Sequence, residues 1–224
     1  MYKHFFKRII DFVLAFIALC ILSPILIPVV IGLLLTGEHY VFYFQKRIGY
    51  KNKPFQIWKF ATMLKNSPNM VGGLHTTSRD PRILPMGGIL RKSKINELPQ
   101  LINILKGDMS IVGPRPLVDK TFAPYSDEVK AHIYNVKPGL TGIGSIVFRD
   151  EERLLSKTSM NIDDFYALHI SPYKGALELW YQQKLSFYTD MMLIFLTAWV
   201  IVSPGSDLVY RVFKDLPKRP AELN

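Results

Sequence analysis

The stretch 91–116 holds the side chains best suited to chemistry on a phosphate, and it reads RKSKINELPQLINILKGDMSIVGPRP. Glu97 lies where a helix is expected to begin. The segment Gly113-Pro114-Arg115-Pro116 follows, and its two prolines fix the backbone on both sides of the arginine. An arginine held rigidly near the free N–H groups of a helix N-terminus binds phosphate well. This spacing therefore predicts an oxyanion or phosphate site.

Glu97 has two interpretations at this point. A carboxylate that does not pair with the arginine can bind Mg²⁺, since Mg²⁺ on phosphate substrates is typically held by one or two carboxylates. Alternatively, Glu97 only complements the dipole of the helix, and Arg115 makes a surface salt bridge. The spacing of the residues does not decide between the two.

The elements that must position these residues are short. A strand, a Gly-Tyr-Lys-Asn-Lys-Pro turn and a second strand or strand-to-helix passage are predicted over 40–64, and a loop over 66–88. An amphipathic helix is predicted over 96–105, with Asn96 as its N-cap and Gly107 after its end. Its apolar positions are Leu98, Leu101, Ile102 and Leu105. Further helices are predicted over 123–136 and 161–184. These elements indicate a small, helix-rich α/β globular domain.

Composition narrows the class of protein. The chain has 224 residues and is 49% hydrophobic, which excludes intrinsic disorder as its main state. Its single cysteine, Cys20, excludes a disulfide framework and a structural zinc site. The formal net charge of +10 favours either nucleic acid or an anionic phospholipid membrane as a partner. Because the basic residues flank an uncharged run and no recognition motif is present, we predict membrane binding and no nucleic acid.

That uncharged run extends over 12–35 and, as a helix of roughly 36 Å, is long enough to cross a bilayer core of about 30 Å. Two features favour a re-entrant helix, which returns to the face it entered, over a simple span. Ser23-Pro24 and Pro28 interrupt the run, so a bend is expected at its centre. Basic residues, which mark the cytoplasmic side, lie on both flanks.

A second uncharged run, Met191–Val202, is too short to cross a membrane. It is either a buried core helix or an interfacial helix, because Trp and Tyr residues are frequent around it. The sequence leaves both interpretations open.

Several strings in order carry a resemblance to a known family. They are Asn96-Glu-Leu-Pro-Gln100, Lys106-Gly-Asp-Met-Ser110 and Val112-Gly-Pro-Arg-Pro116, and outside them Gln45–Gly49, Asp80-Pro-Arg82, Pro138–Gly142 and the kink at Ser23-Pro24. In order and spacing the chain resembles the bacterial sugar transferase family, the monotopic phosphoglycosyl transferases, over nearly its whole length.

The resemblance implies an enzyme on the cytoplasmic face of the bacterial inner membrane. Such enzymes use Mg²⁺ and move a sugar-1-phosphate from a UDP-sugar to a polyprenyl phosphate, usually undecaprenyl phosphate, and release UMP. The reaction begins the synthesis of O-antigen, capsule, exopolysaccharide or glycoprotein glycans. The implied organisation is a re-entrant membrane helix at 1–38, a catalytic domain at 39–184, and interfacial amphipathic helices with a basic tail at 185–224. A homodimer is possible.

The resemblance also assigns roles to residues. Glu97 is implied as a catalytic residue and metal ligand, and Arg115 as a catalytic residue. The implied substrate-binding residues are Lys59, Arg91, Asp190, Gly113, Pro114 and Pro116. Each role has a plainer alternative: the basic residues can snorkel at the membrane surface, and Asp190 can complement a helix dipole.

Asn96 departs from the family, whose pattern has a nucleophilic Asp at this position. The resemblance implies that this Asp forms a covalent phosphosugar intermediate, but an amide lacks the charge that makes a carboxylate a nucleophile, so this covalent mechanism does not carry over to Asn96. Either the residue was changed to stop turnover, or Glu97 or the acceptor phosphate attacks instead, or the nucleophile lies elsewhere. The remaining alternative is a catalytically inactive membrane-associated binding or scaffold protein of the same fold.

Overall fold

The structure is a computed structural model that describes residues 2–70 and 80–223, so residues 71–79 of the predicted loop lie outside it. The chain forms two compact units. The first unit is Met1–Asp11, Lys46–Phe55 and Gly107–Asn224, and the second is Phe12–Gln45 and Gln56–Lys106. The prediction of a helix-rich α/β domain with one long apolar N-terminal helix is confirmed.

The helices and strands alternate irregularly along the chain. Their bounds in order are α1 Lys7–Leu35, β1 Phe42–Ile48, β2 Pro54–Phe60, α2 Gly87–Lys92, α3 Gln100–Lys106, β3 Ser110–Val112, α4 Asp119–Phe122, α5 Asp127–His132, β4 Gly139–Thr141, α6 Ile143–Val147, α7 Glu151–Lys157, α8 Ile162–Phe165, α9 Ser171–Lys184, α10 Phe187–Val202 and α11 Leu208–Val212. Strands β1 and β2 pair with each other, as predicted for 40–64.

Helix α1 is continuous through Pro24 and Pro28. Pro24 has no N–H group, so the carbonyl of Cys20 loses its helical partner, and the Ser23 hydroxyl donates to that carbonyl at 2.8 Å. The freed carbonyl is thus satisfied within the helix, as a chain in lipid requires. Within residues 2–70 and 80–223, α1 is the one helix long and apolar enough to cross a membrane. The re-entrant topology stays a prediction.

In the second unit, α1 contributes to the core beneath the candidate site. Val29 and Leu33 pack with Phe60 of β2 and Leu90 of α2, and Ile95 lies against this cluster. Aromatic contacts also stabilise the pairing of β1 with β2. The rings of Phe44 on β1 and Trp58 on β2 meet edge to face, with centroids 4.8 Å apart.

The helix predicted over 96–105 begins later than expected, and its buried face is different. Helix α3 buries Gln100, Leu101, Asn103 and Ile104, whereas Ile102 and Leu105 are half-buried. The polar Asn103 faces inward because its side chain accepts the Trp58 N–H at 2.9 Å and donates to the Gln56 carbonyl at 2.8 Å. One position on the buried face of α3 is therefore taken by a polar side chain, Asn103, which hydrogen-bonds the backbone of β2.

In the first unit, β3 and β4 are parallel, with Ser110 opposite Gly139 and Val112 opposite Thr141. Helices α9 and α10 supply much of the core around them, including Leu177, Leu193 and Leu196.

The remaining helix predictions hold in part. The region 123–136 contains α5, which Ser126 caps by accepting the Val129 N–H. The region 161–184 contains α8, a π-helical segment at Tyr166–Ile170, and α9.

Helix α10 shares features of both interpretations of the second apolar run. One face is buried in the core of the first unit, through Leu193, Leu196 and Val200. The other face exposes large apolar side chains, namely Phe187, Tyr188, Phe195, Trp199, Ile201 and Val202.

Candidate functional site

A short 3₁₀ turn at Ile95–Glu97 presents the two residues that sequence reasoning placed at the point of chemistry. The turn follows Lys94, whose φ of 61° is left-handed. Asn96 is inside this turn and only 8% exposed. Its Oδ1 has no hydrogen-bond partner in the part of the chain that the structure describes. The prediction that Asn96 caps a helix is therefore wrong, because Lys94 occupies the cap position of the turn and the α-helix begins only at Gln100.

Glu97 is oriented by an ion pair with Lys59 of strand β2. The Lys59 ammonium donates to Glu97 Oε1 at 2.9 Å, and the two side chains are 16% and 19% exposed. Asn103 bonds the backbone of Gln56 and Trp58, the residues that precede Lys59 on the strand. The second unit thus brings Glu97 of the turn against Lys59, on a strand whose backbone is held by Asn103.

Arg91 lies on α2 of the same unit, half-buried, with Nη1 3.7 Å from the sulfur of Met63. Near it, Asp80 and Arg82 form a local ion pair, with the Arg82 guanidinium donating to Asp80 Oδ1 at 2.9 Å and to Oδ2 at 2.6 Å. These bonds from Arg82, with a smaller contribution from the charge of Arg91, lower the pKa of Asp80 to about 2. Asp80 is thus a structural carboxylate.

The donor set of this unit fits Mg²⁺ only in part. Glu97 and Asn96 offer a carboxylate and an unpartnered amide oxygen on consecutive residues of one turn. Among the described residues, no group of three or more His, Cys, Asp or Glu side chains could enclose a metal ion. Mg²⁺ commonly takes one or two protein ligands and completes its shell with water and substrate phosphates, and these two oxygens match that pattern.

The Gly-Pro-Arg-Pro loop belongs to the first unit, and its backbone is hydrogen-bonded at each residue. Gly113 donates to the Thr141 carbonyl at 2.9 Å, and the Pro114 carbonyl accepts the Gly139 N–H at 2.8 Å. A side chain at Gly113 would overlap the carbonyl of Lys137, so this close approach needs glycine.

The rest of the loop is held by side chains from outside it. The Tyr134 hydroxyl donates to the Arg115 carbonyl at 2.8 Å, and Arg47 donates to the Pro116 carbonyl at 3.1 Å. Gly113, Pro114 and Pro116 are buried, whereas Arg115 is exposed. The loop therefore presents one arginine from a fixed backbone, and a substrate role for its other three residues stays a prediction.

Asp190 is almost fully buried in the first unit and receives three protein donors. Its Oδ2 accepts Lys7 Nζ and the Tyr2 hydroxyl, each at 2.6 Å, and its Oδ1 accepts the Tyr181 hydroxyl at 2.7 Å. Nearby, Asp11 accepts the Ser110 hydroxyl and the Ile111 N–H at 2.7 and 3.0 Å. These contacts favour a structural role for Asp190, which joins the N-terminal residues to the helices of this unit.

The structure also identifies residues that the sequence motifs did not contain. Asn103 and Tyr134 position the backbone near Lys59 and at Arg115, and their partners are main-chain groups distant in sequence. The sequence gives a weak indication that Asn103 is important, because it is a polar residue inside a predicted amphipathic helix. It gives no such indication for Tyr134.

Comparison with known proteins now defines the class. A family model described as bacterial sugar transferase matches residues 2–204, so the chain belongs to the bacterial sugar transferase family. The resemblance drawn from the motifs is confirmed.

Three curated relatives show what the chain is similar to. It is 34% identical over 194 residues to the UDP-glucose:undecaprenyl-phosphate glucose-1-phosphate transferase of Escherichia coli, and the match covers 85% of this chain and 39% of that protein. It is 33% identical to the exopolysaccharide production protein ExoY of Sinorhizobium fredii, over 85% of this chain and 83% of that protein. It is 32% identical to the UDP-N-acetylgalactosamine-undecaprenyl-phosphate N-acetylgalactosaminephosphotransferase of Aeromonas hydrophila, over 89% of this chain and 44% of that protein. The chain thus spans less than half of two of these relatives and most of the third.

Proposed function

We propose that this protein transfers a sugar-1-phosphate from a UDP-sugar to undecaprenyl phosphate and releases UMP, the first membrane step of a bacterial glycoconjugate. The observation that carries the proposal is the Ile95–Glu97 turn, in the region that matches the family. It holds an oriented carboxylate beside a buried amide oxygen that has no partner among the described residues. The names of two of the relatives describe transfer of a sugar phosphate to undecaprenyl phosphate.

In the proposed mechanism, some residues bind the charged substrate and others orient the side chains that do so. Arg115 binds the diphosphate of the UDP-sugar, since a guanidinium pairs with two phosphate oxygens. Glu97 and the Asn96 amide oxygen would hold Mg²⁺, which when bound neutralises charge on the diphosphate. Lys59 orients Glu97 through their ion pair. Arg91 adds positive charge on the same unit.

The transfer step breaks the bond between the phosphorus bearing the sugar and the bridging oxygen, which leaves with UMP. The new bond to that phosphorus comes from an oxygen of the acceptor phosphate, either directly or after a first attack by the Glu97 carboxylate. Asn96 takes neither part, because a neutral amide is a poor nucleophile.

A second candidate function rests on Asn96 alone. If the family's Asp is the only workable nucleophile, the protein binds UDP-sugar or lipid phosphate without turnover and acts as a membrane-associated scaffold.

One assay separates the two functions. UMP release is measured with undecaprenyl phosphate, Mg²⁺ and a panel of UDP-sugars, for the chain as it stands and for Asn96→Asp side by side. Release with at least one UDP-sugar by the unaltered chain supports the transferase and names the sugar. Release by Asn96→Asp alone supports a protein that lost its nucleophile. No release by either variant would overturn the transferase proposal.

We further propose that α1 is re-entrant and that the protein lies at the cytoplasmic face of the inner membrane. Both flanks of the apolar run are basic, and two prolines lie inside it. In a Cys20→Ala background, Lys3→Cys and Lys46→Cys should both resist a membrane-impermeant thiol reagent in intact cells and both react after lysis. Labelling of one position from outside the cell would show a spanning helix instead.

A further inference from the structure

A buried carboxylate on α9 lies next to the Gly-Pro-Arg-Pro loop and has no place in the mechanism above. Glu178 is 4% exposed, and its Oε2 has no hydrogen-bond partner among the described residues. Burial raises the pKa of Glu178 to about 7, against the opposing charge of Lys174. A buried acid with an unpaired oxygen costs stability, so a reason other than packing is needed for its presence.

The contacts of Glu178 supply that reason. Its carboxylate accepts the backbone N–H groups of Arg115 and Gly144. The approach at Gly144 is so close that a side chain there would overlap Glu178 Oε1. The Glu178 carboxylate thus lies between the backbone of Arg115 and the first turn of α6.

A second buried side chain bonds the other backbone group of the same residue. The Tyr134 hydroxyl donates to the Arg115 carbonyl at 2.8 Å and accepts the Leu117 N–H at 3.0 Å. Both backbone groups of Arg115 are therefore bonded to side chains from the core, whereas the Arg115 side chain is exposed.

The neighbours of Glu178 keep it in place. Lys174, one turn earlier on α9, is buried and donates to Glu151 Oε2 at 2.7 Å. The ammonium also lies 5.0 Å from the ring centre of Phe148 and 5.3 Å from that of Tyr166. Because Lys174 is paired with Glu151, Glu178 remains available to the backbone of the loop.

We propose that Glu178 is a positioning residue, which fixes the backbone of Arg115 and thereby aims its guanidinium at the substrate diphosphate. This inference rests on the proposed function. It assigns a role in the reaction to a residue that contacts no substrate. Together, Glu178 and Tyr134 hold both backbone groups of Arg115.

A double-mutant cycle tests the coupling. We expect Glu178→Ala to lower kcat/KM for UMP release by about 10- to 100-fold, the scale for a misplaced group of the site. In an Arg115→Ala background the same change should cost less than about twofold, because the residue that it positions is already absent. Glu178→Gln, whose amide oxygen still accepts an N–H, should recover part of the loss. Equal costs in both backgrounds would overturn the proposal.

Tyrosine variants provide a matched control. Tyr134→Phe removes the bond to the Arg115 carbonyl and should lower kcat/KM in the same non-additive way. Tyr173→Phe removes the hydroxyl of another buried tyrosine, which donates to the Pro217 carbonyl at 2.9 Å, far from the loop in sequence. It should leave kcat/KM within about twofold of the parent. A loss of equal size for both variants would show a general effect on folding.

A readout without turnover keeps this inference distinct from the proposed function. In ¹⁵N-labelled protein in detergent, the amide protons of Arg115 and Gly144 should move downfield as the pH rises through about 7, because ionised Glu178 accepts stronger hydrogen bonds. Glu178→Gln should abolish both shifts. The groups facing Glu178 that also carry charge or titrate are Lys174, Glu151, Arg115, Tyr125, Tyr134 and Tyr166.

These experiments distinguish failure of the Glu178 inference from failure of the proposed function. If the parent releases no UMP, the proposed function fails, and the two amide shifts alone decide whether Glu178 holds the loop. If the parent is active but neither amide responds to Glu178→Gln, the inference about Glu178 fails and the transferase proposal stands.

Discussion

Glu97→Gln is expected to abolish UMP release while the protein still folds. The substitution keeps the shape of the side chain but removes the charge that would bind Mg²⁺ or attack phosphorus. It leaves Lys59 without its carboxylate, at a pair that is only partly buried, so the cost to stability should stay moderate. UMP release and a thermal unfolding curve of the same preparation measure both effects.

Two controls isolate the role of Glu97. Lys59→Gln breaks the same ion pair from the other side and should leave partial activity, because it disturbs the orientation of Glu97 and not its charge. Asp163→Asn breaks an exposed ion pair with Lys120 and should have no effect. If Lys59→Gln and Glu97→Gln were equally inactive, the ion pair itself would be the essential feature, and Glu97 would not be the metal ligand or nucleophile.

Asn96 adds a test of its own. Because its Oδ1 bonds to no described group, Asn96→Ala should lower the free energy of unfolding by less than the roughly 1 kcal/mol typical of a lost helix cap. Chemical denaturation of the variant and the parent measures the difference.

Asn96→Asp places a second carboxylate beside Glu97. In a disabled enzyme it should start turnover and, without lipid acceptor, let a radiolabelled phosphosugar accumulate on the protein. In a branch that uses another route it should give little gain, since like charges raise each other's pKa.

Arg115→Ala is expected to cost about 2–4 kcal/mol of transition-state stabilisation, the usual size for one preorganised donor. The backbone of the loop is bonded at Gly113, Pro114 and Pro116, so the substitution should remove the guanidinium and leave the loop in place. The measurement is kcat/KM for UMP release.

The matched control is Arg211→Ala, which removes an exposed arginine from α11 of the same unit. It should leave kcat/KM unchanged. Arg115→Lys should restore only part of the activity, because lysine keeps the charge but loses the paired N–H geometry. Near-normal activity of Arg115→Ala would mean that the loop is structural only.

The sequence predicted those features that depend on local backbone chemistry. The two strands of 40–64 and the turn between them follow from residues a few positions apart. The fixed backbone around Arg115 also follows from its two prolines. The motif strings identified the family because their order is itself a long-range pattern.

Contacts between distant residues could not be predicted in this way. Asn96 looked like a helix cap because Asn favours that position, but the turn begins at a left-handed Lys94, and Pro99 delays the α-helix. The bonds of Asp190 could not be predicted either, because two of its three donors, Tyr2 and Lys7, are more than 180 residues away in the sequence. Glu178 sits in an ordinary helical pattern, and only the fold brings it to the loop.

The bonds of Asp190 have a practical consequence for protein production. Deleting residues 1–35, which contain α1, is an obvious way to obtain a water-soluble version, but the deletion also removes Tyr2, Lys7 and Asp11. Asp190 would then keep Tyr181 alone, as a buried charge without its cation, at a cost of about 3–5 kcal/mol. That is a large part of the roughly 5–15 kcal/mol that stabilises a domain, so the shortened chain is expected to aggregate. Preparations of this protein should therefore retain the N-terminal segment and rely on detergent or lipid nanodiscs.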